Sequence, residues 1–214
     1  MKLLRVTAEG LPLFKEKLDI SFYAQQRVAE EQKNTLHQLF SNVYMNTTIG
    51  FIGINASGKT SVLKVILFPL NLINNEPINH IETSDILGDA ERVKFNIYFF
   101  SEKTNELCRL ETVVISQKVK SEGISYRIDS EFLWTKSVEE VTTRKAMLDF
   151  GKREPIMIRS HQEEFLPDDV SIIIAKNKKE LMVLCNNDFS LYASLFLLSD
   201  KLENIDQLVK ELGV

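Results

Sequence analysis

The run Gly53-Ile54-Asn55-Ala56-Ser57-Gly58-Lys59-Thr60 fits G-x-x-x-x-G-K-[ST] at every fixed position. Each of those positions has a chemical reason. Gly53 and Gly58 permit backbone angles and a close approach that a Cβ would forbid. The amides from about Ala56 to Thr60 can then converge on a hollow suited to anionic oxygens. A helix opening at the same place adds the positive end of its dipole. Lys59 supplies a mobile ammonium for the β- and γ-phosphates, and the Thr60 hydroxyl suits Mg²⁺, a hard cation that prefers oxygen. The chemistry expected is therefore binding of a nucleoside triphosphate with magnesium. ATP is the expected nucleotide, because the chain has no guanine-specifying Asn-Lys-x-Asp.

Such a loop needs a strand to feed it and a helix to leave it. Thr47–Ile52 is an apolar, β-branched run that predicts the strand. Ser61–Leu70, with Val62, Leu63, Val65, Ile66, Leu67 and Phe68, predicts a helix apolar on every side and hence buried. Pro69 and the Asn-rich Asn71–Asn79 are expected to end it. Upstream, Leu3–Ala8 and Leu18–Tyr23 read as two strands around a turn at Gly10-Leu11-Pro12. Ala24–Tyr44 carries Leu36, Leu39, Phe40 and Val43 at helical spacing and reads as a helix or a partly ordered loop. From Arg92 to Trp134 the period becomes two. Val93, Phe95, Ile97 and Phe99 alternate with polar residues, Leu107–Ile115 and Ile124–Ile128 follow, and turns fall at Ser101–Glu106 and Lys120–Gly123. This predicts an antiparallel meander with one wet face. Val170–Ala175 and Leu181–Leu184 read as a hairpin, or the latter as a helix. From Asn187 a helix is expected, with Asp188 as N-cap, Leu191, Leu195, Leu198, Leu202, Ile205, Val209 and Leu212 along one seam, and Gly213 as its C-cap.

The 214 residues suffice for one well-packed domain, or for one lobe with an appendage. A hydrophobic fraction of 44% and a net charge of −4 describe an ordinary globular chain with no overall footprint for nucleic acid. The basic stretch Lys176–Lys179 is short and reads as a solvated loop. Cys108 and Cys185 sit in apolar runs and are read as buried, reduced thiols. The N-terminus is broken by Arg5 and Glu9 too early for a signal peptide, and no apolar run is long enough to cross a bilayer. A cytoplasmic protein is expected.

The loop variant GINASGKTSVLKVI resembles ABC-type ATPases of the structural-maintenance-of-chromosomes kind. It is similar above all to bacterial AAA-family ATPases of the abortive-infection and overcoming-lysogenization-nuclease type. The likeness covers about residues 1–150, through LPLFKEKLDISF, the loop, and the strands VKFNIYFF, CRLETVVIS and YRIDSEFLW; beyond them it is weak. It implies an α/β fold: a P-loop lobe with a mixed sheet and an antiparallel meander over 1–150, then a mainly helical, incomplete segment over 151–214. It also implies magnesium-dependent attack of water on the γ-phosphate. Gly53, Asn55, Ser57, Gly58, Lys59, Thr60 and Ser61 would form the phosphate cradle. Lys15 or Lys17 would approach the nucleotide, and Gln162, or more weakly Gln117, would contact magnesium; for these four an ordinary surface role competes.

Other parts of such an ATPase are missing. Val170–Ala175 ends in Lys176, and Leu181–Cys185 in Asn186-Asn187-Asp188, so neither is a strand ending in Asp-Glu. Asp168-Asp169 precedes an apolar run instead of following one. Leu198-Ser199-Asp200-Lys201 lacks the signature glycine, and His161 reads as a surface residue. The simplest expectation is the N-terminal half of an ATPase, from a truncated, split or remnant gene, that binds ATP and needs a complementary lobe, or a head-to-tail homodimer, for hydrolysis. An effector protein under its control is a further expected partner, in anti-phage defence or DNA maintenance. The alternative is a non-catalytic interaction module with a structural or vestigial nucleotide site.

Overall fold

The computed structural model describes residues 1–54, 58–119, 123–161 and 166–177. The chain divides into two compact units, Met1–Ile173 and Ile174–Val214. The expected C-terminal helix, with Cys185 and Gly213, lies outside the described residues, as does Leu181–Leu184.

Strand β1 (Lys2–Glu9) pairs antiparallel with β2 (Leu18–Ser21). The turn between them depends on Gly10, whose φ is +84° and whose Cβ, if present, would lie 2.4 Å from the Arg92 carbonyl oxygen. No other residue fits there. Of the two readings of Ala24–Tyr44, a helix or a partly ordered loop, the α-helix does not form. A 3-10 helix spans Glu30–Thr35, then β3 (His37–Phe40) and β4 (Val43–Met45) form a hairpin. Leu36, Leu39, Phe40 and Val43 do carry helical spacing, but Ser41 takes a positive φ of 47° and turns the chain back. Val43 then packs with Leu4, Phe100 and Leu107, with Leu39 and Phe40 lying against that cluster. A hairpin flank serves that cluster as well as a helix would.

Helix α1 (Lys59–Ile73) follows the glycine loop and runs one turn further than expected. Pro69 sits inside it, buried. The cost of one absent backbone donor is offset by packing of Phe68, Leu72 and Ile73, all at most 2% exposed. The stop comes from the asparagines. Asn75 takes a left-handed φ of 70°, its N–H donates to the Leu72 carbonyl, and the Glu76 N–H donates to the Asn71 carbonyl. This is the six-to-one, five-to-two pattern of a Schellman ending.

Short 3-10 turns lead into the meander of β5 (Val93–Ser101), β6 (Glu106–Val119) and β7 (Gly123–Ser137). These strands exceed their predicted lengths, and the pairing is as expected. A short helix α2 (Arg144–Met147) precedes β8 (Met157–Ile158). The six-stranded sheet has the order β2-β1-β5-β6-β7-β8, and every pairing within it is antiparallel. The parallel component of the expected mixed sheet is not found among the described residues. The architecture is α/β with an antiparallel sheet. Residues 173–177 are helical, so Val170–Ala175 is not the first arm of a hairpin.

Alternation on the strands sends Phe95, Ile97, Phe99, Leu110 and Leu133 into the core, all at most 1% exposed. Phe68 of α1 stacks on Phe95 with ring centroids 5.0 Å apart. The other sheet face carries a cross-strand row, Arg5, Tyr98, Arg109 and Trp134. All four are half-buried, with Arg109 4.7 Å over the Trp134 ring and 5.9 Å from the Tyr98 ring. Cys108 is buried and in no disulfide, as expected.

Candidate functional site

The Gly53–Thr60 loop meets α1 at Gly58, which caps the helix in the left-handed region with φ 83° and ψ 12°. Only glycine takes that conformation without penalty. The Val62 N–H donates to the Gly58 carbonyl at 2.9 Å, so the helix ladder starts at the cap itself. Lys59 is the first residue of α1. Its ammonium turns back across the loop and donates to the carbonyls of Gly53 (2.8 Å) and Ile54 (2.7 Å). One side chain thus closes the two ends of the loop on each other. Thr60 stands exposed in the first turn, and Ser61 beside it is half-buried. Asn55, Ala56 and Ser57 lie outside the described residues.

The residues present suit a polyphosphate with magnesium. A left-handed glycine, the start of a helix, an ammonium and an exposed hydroxyl fall within three consecutive residues, Gly58 to Thr60. Thr60 would offer the metal one oxygen, with others from the nucleotide. Among the described residues no group of three or more His, Cys, Asp or Glu side chains could hold a metal ion. Lys64, one turn along α1, is ion-paired to Asp85 and ties the helix to the 3-10 helix Glu82–Leu87.

Other expectations fare differently. Lys17 is ion-paired to Glu9 at 2.7 Å on β1, and Lys15 is an exposed turn residue. Gln117 is exposed on β6, His161 is exposed, and Gln162 lies outside the described residues. The carbonyls of Asp168 and Asp169 accept from the N–H groups of Ile128 (2.7 Å) and Ile78 (2.8 Å), and the Asp169 carboxylate accepts from the Asn79 amide at 3.4 Å.

The expected strand Thr47–Ile52 does not form. Ile52 is fully exposed (101%), Ile54 is 83% exposed, and Ile49 is also exposed. The helix beyond is covered on one face only, since Leu63 and Leu67, one turn apart, are each about half exposed (48% and 47%). A β-branched run becomes a strand only when its N–H and C=O groups find a ladder. Among the described residues none of the sheet's strands pairs with this segment.

The most deeply buried charged group escaped sequence reasoning. Glu131 of β7 is 0% exposed. Its carboxylate accepts from the hydroxyls of Thr112 (2.7 Å) and Ser171 (2.6 Å) and from the Ile172 N–H (2.7 Å), with Arg159 at 3.7 Å. Arg159 in turn donates to the carbonyls of Val170 (2.7 Å) and Pro167 (2.6 Å). Burial pushes the Glu131 carboxyl above the ordinary glutamate range, against the opposing pull of those donors. The signal was available: Glu131 is two residues before Leu133 in an alternating strand, hence on the same inward face. The network binds residues 167–172 to the sheet.

No family model, curated protein or solved structure matches the chain. No helix among the described residues is long and apolar enough to cross a membrane.

Proposed function

We propose that this chain is the ATP-binding module of a P-loop ATPase, taking ATP with Mg²⁺ on Gly53–Thr60. The observation that carries the reading is the joint of loop and helix. A left-handed Gly58 caps α1, and the Lys59 ammonium already spans the loop to Gly53 and Ile54. In the bound state the ammonium would meet β- and γ-phosphate oxygens, the amides around Gly58–Thr60 would cradle them, and Thr60 would hold the metal. Magnesium supplies charge neutralisation between the phosphates.

Turnover requires more than this. The sequence contains no apolar run ending in Asp-Glu, and on this reading a further lobe, a second copy or a partner supplies the group that orients the attacking water. The bare Ile52 and Ile54 and the open Leu63–Leu67 face of α1 favour that incompleteness, because apolar surface of this kind is normally covered. The resemblance to ABC-type ATPases of anti-phage systems adds control of an effector as the biological role. Nucleotide held without hydrolysis, in an interaction module, is the second reading, favoured by the unpaired Thr47–Ile52 run.

Equilibrium binding of a fluorescent ATP analogue with magnesium tests the proposal. Charge-assisted contacts of this type contribute about 1.5–3 kcal/mol, so Lys59→Ala is expected to weaken binding by about 10- to 100-fold. Equal affinity of the two proteins would remove the loop as the site.

A further inference from the structure

A polar cleft of about 370 Å³ opens between β2, the segment after it and α2, and no residue of the Gly53–Thr60 loop lines it. Arg5, Arg144 and Lys145 face it, with Asp19 as the one carboxylate in its wall. Arg5 is committed, since its guanidinium holds Asp19 and lies 6.0 Å from the Tyr98 ring centre. Arg144 is anchored without neutralisation: its guanidinium donates to the main-chain carbonyls of Gln26 and, at 3.2 Å, Asn42. Lys145 is exposed. Among the described residues neither Arg144 nor Lys145 has a carboxylate partner.

We propose that this cleft binds a phosphate group through Arg144 and Lys145, as a second anion site of the chain. Three cations against one carboxylate leave a surplus of two positive charges in the wall. A phosphate monoester carries about −1.5 to −2 at neutral pH. Arg144 is already oriented by its carbonyl contacts, so little side-chain freedom is lost when an oxyanion docks on its remaining edge. Ser21, Tyr23 and Gln25 supply neutral donors beside it. The same three residues line a second cleft of about 520 Å³ that continues past Arg27 to Thr35 and Asn46. The groove therefore accommodates a ligand longer than one phosphate, whether a free phosphorylated compound or the phosphodiester of a single nucleic-acid strand.

The test uses the full chain carrying Lys59→Ala, which weakens the loop, and reads the cleft through Lys145→Glu on that background, so that failure here and failure of the ATP site are read separately. This protein is titrated calorimetrically with pyrophosphate and, in another arm, with a single-stranded oligothymidylate, both at about 0.1 M ionic strength. At least one arm is expected to bind, and Lys145→Glu, on an exposed side chain, is expected to weaken that binding by about tenfold or more. Pyrophosphate binding identifies a free phosphorylated ligand; binding of the oligonucleotide alone identifies a phosphodiester. Arg144→Gln should act in the same direction, with circular dichroism checking that the fold survives. Absence of binding in both arms, or affinity unchanged by Lys145→Glu in a folded protein, overturns the proposal.

Discussion

Glu131 shows how much one side chain can decide. Replacing it by alanine would leave two hydroxyls, the Ile172 N–H and Arg159 facing a void. Loss of one partner in a buried charged network costs about 3–5 kcal/mol, so Glu131→Ala should lower the urea midpoint markedly. The pH dependence has a definite sign. The folded carboxyl sits above its unfolded value, so its favourable contribution is complete below the ordinary glutamate range and is lost as pH rises through the folded value. Relative to Glu131→Gln, which cannot titrate, the wild type should therefore lose stability as pH climbs above the ordinary glutamate range. Urea unfolding of both proteins across that range checks this, and parallel curves would place the group's pKa at its unfolded value. At this scale the sequence marks Lys59 and Thr60 as candidates, because phosphate chemistry demands fixed residue types at fixed spacing, and the binding they would perform is a proposal. It announced Glu131 only through strand parity, and Arg144 not at all, since its site forms from segments far apart in the chain.

Among the elements, α1 is the most informative. Its start was legible from Gly58. Its end was not, because Pro69 is a strong breaker by propensity while the packing of Phe68 and Leu72 overrides it. Phe68→Ala should cost about 3–5 kcal/mol, given full burial and the stack on Phe95, read as a shift of the denaturant midpoint with unchanged m-value. A loss below about 1 kcal/mol would mean that this face of α1 is not the core. The opposite face should behave otherwise. Leu63→Glu with Leu67→Glu is expected to change stability by no more than about 1 kcal/mol while raising solubility, as dynamic light scattering would show. Thr47–Ile52 failed as a strand for a reason propensity does not contain: its ladder partner is not among the described strands. Leu36–Val43 misled in a different way, since four apolar residues can satisfy a helical period and a hairpin at once.

At the scale of the whole molecule, the antiparallel meander was readable because each of its strands has one inward face and turn residues at its ends. Its neighbours β1 and β8 join it through pairings distant in sequence, with β5 and β7 respectively. What the alternation could not supply is the covering of the sheet's other face, where Arg5, Tyr98, Arg109 and Trp134 cross-brace the strands and Val43, Met147 and Phe150 pack on Leu4, Phe100 and Leu107. The Gly53–Thr60 loop lies apart from that order, between a segment without a ladder and a helix covered on one side. On the proposed reading binding precedes and does not require completion by a complementary lobe. The most direct measurement is an amide NMR titration of the ¹⁵N-labelled chain with ATP and magnesium. The account predicts that the Gly58, Lys59 and Thr60 amides shift first and saturate together, and that Lys59→Ala abolishes those shifts at the same concentrations. Shifts confined to other residues, or none at a large excess of nucleotide, would contradict it.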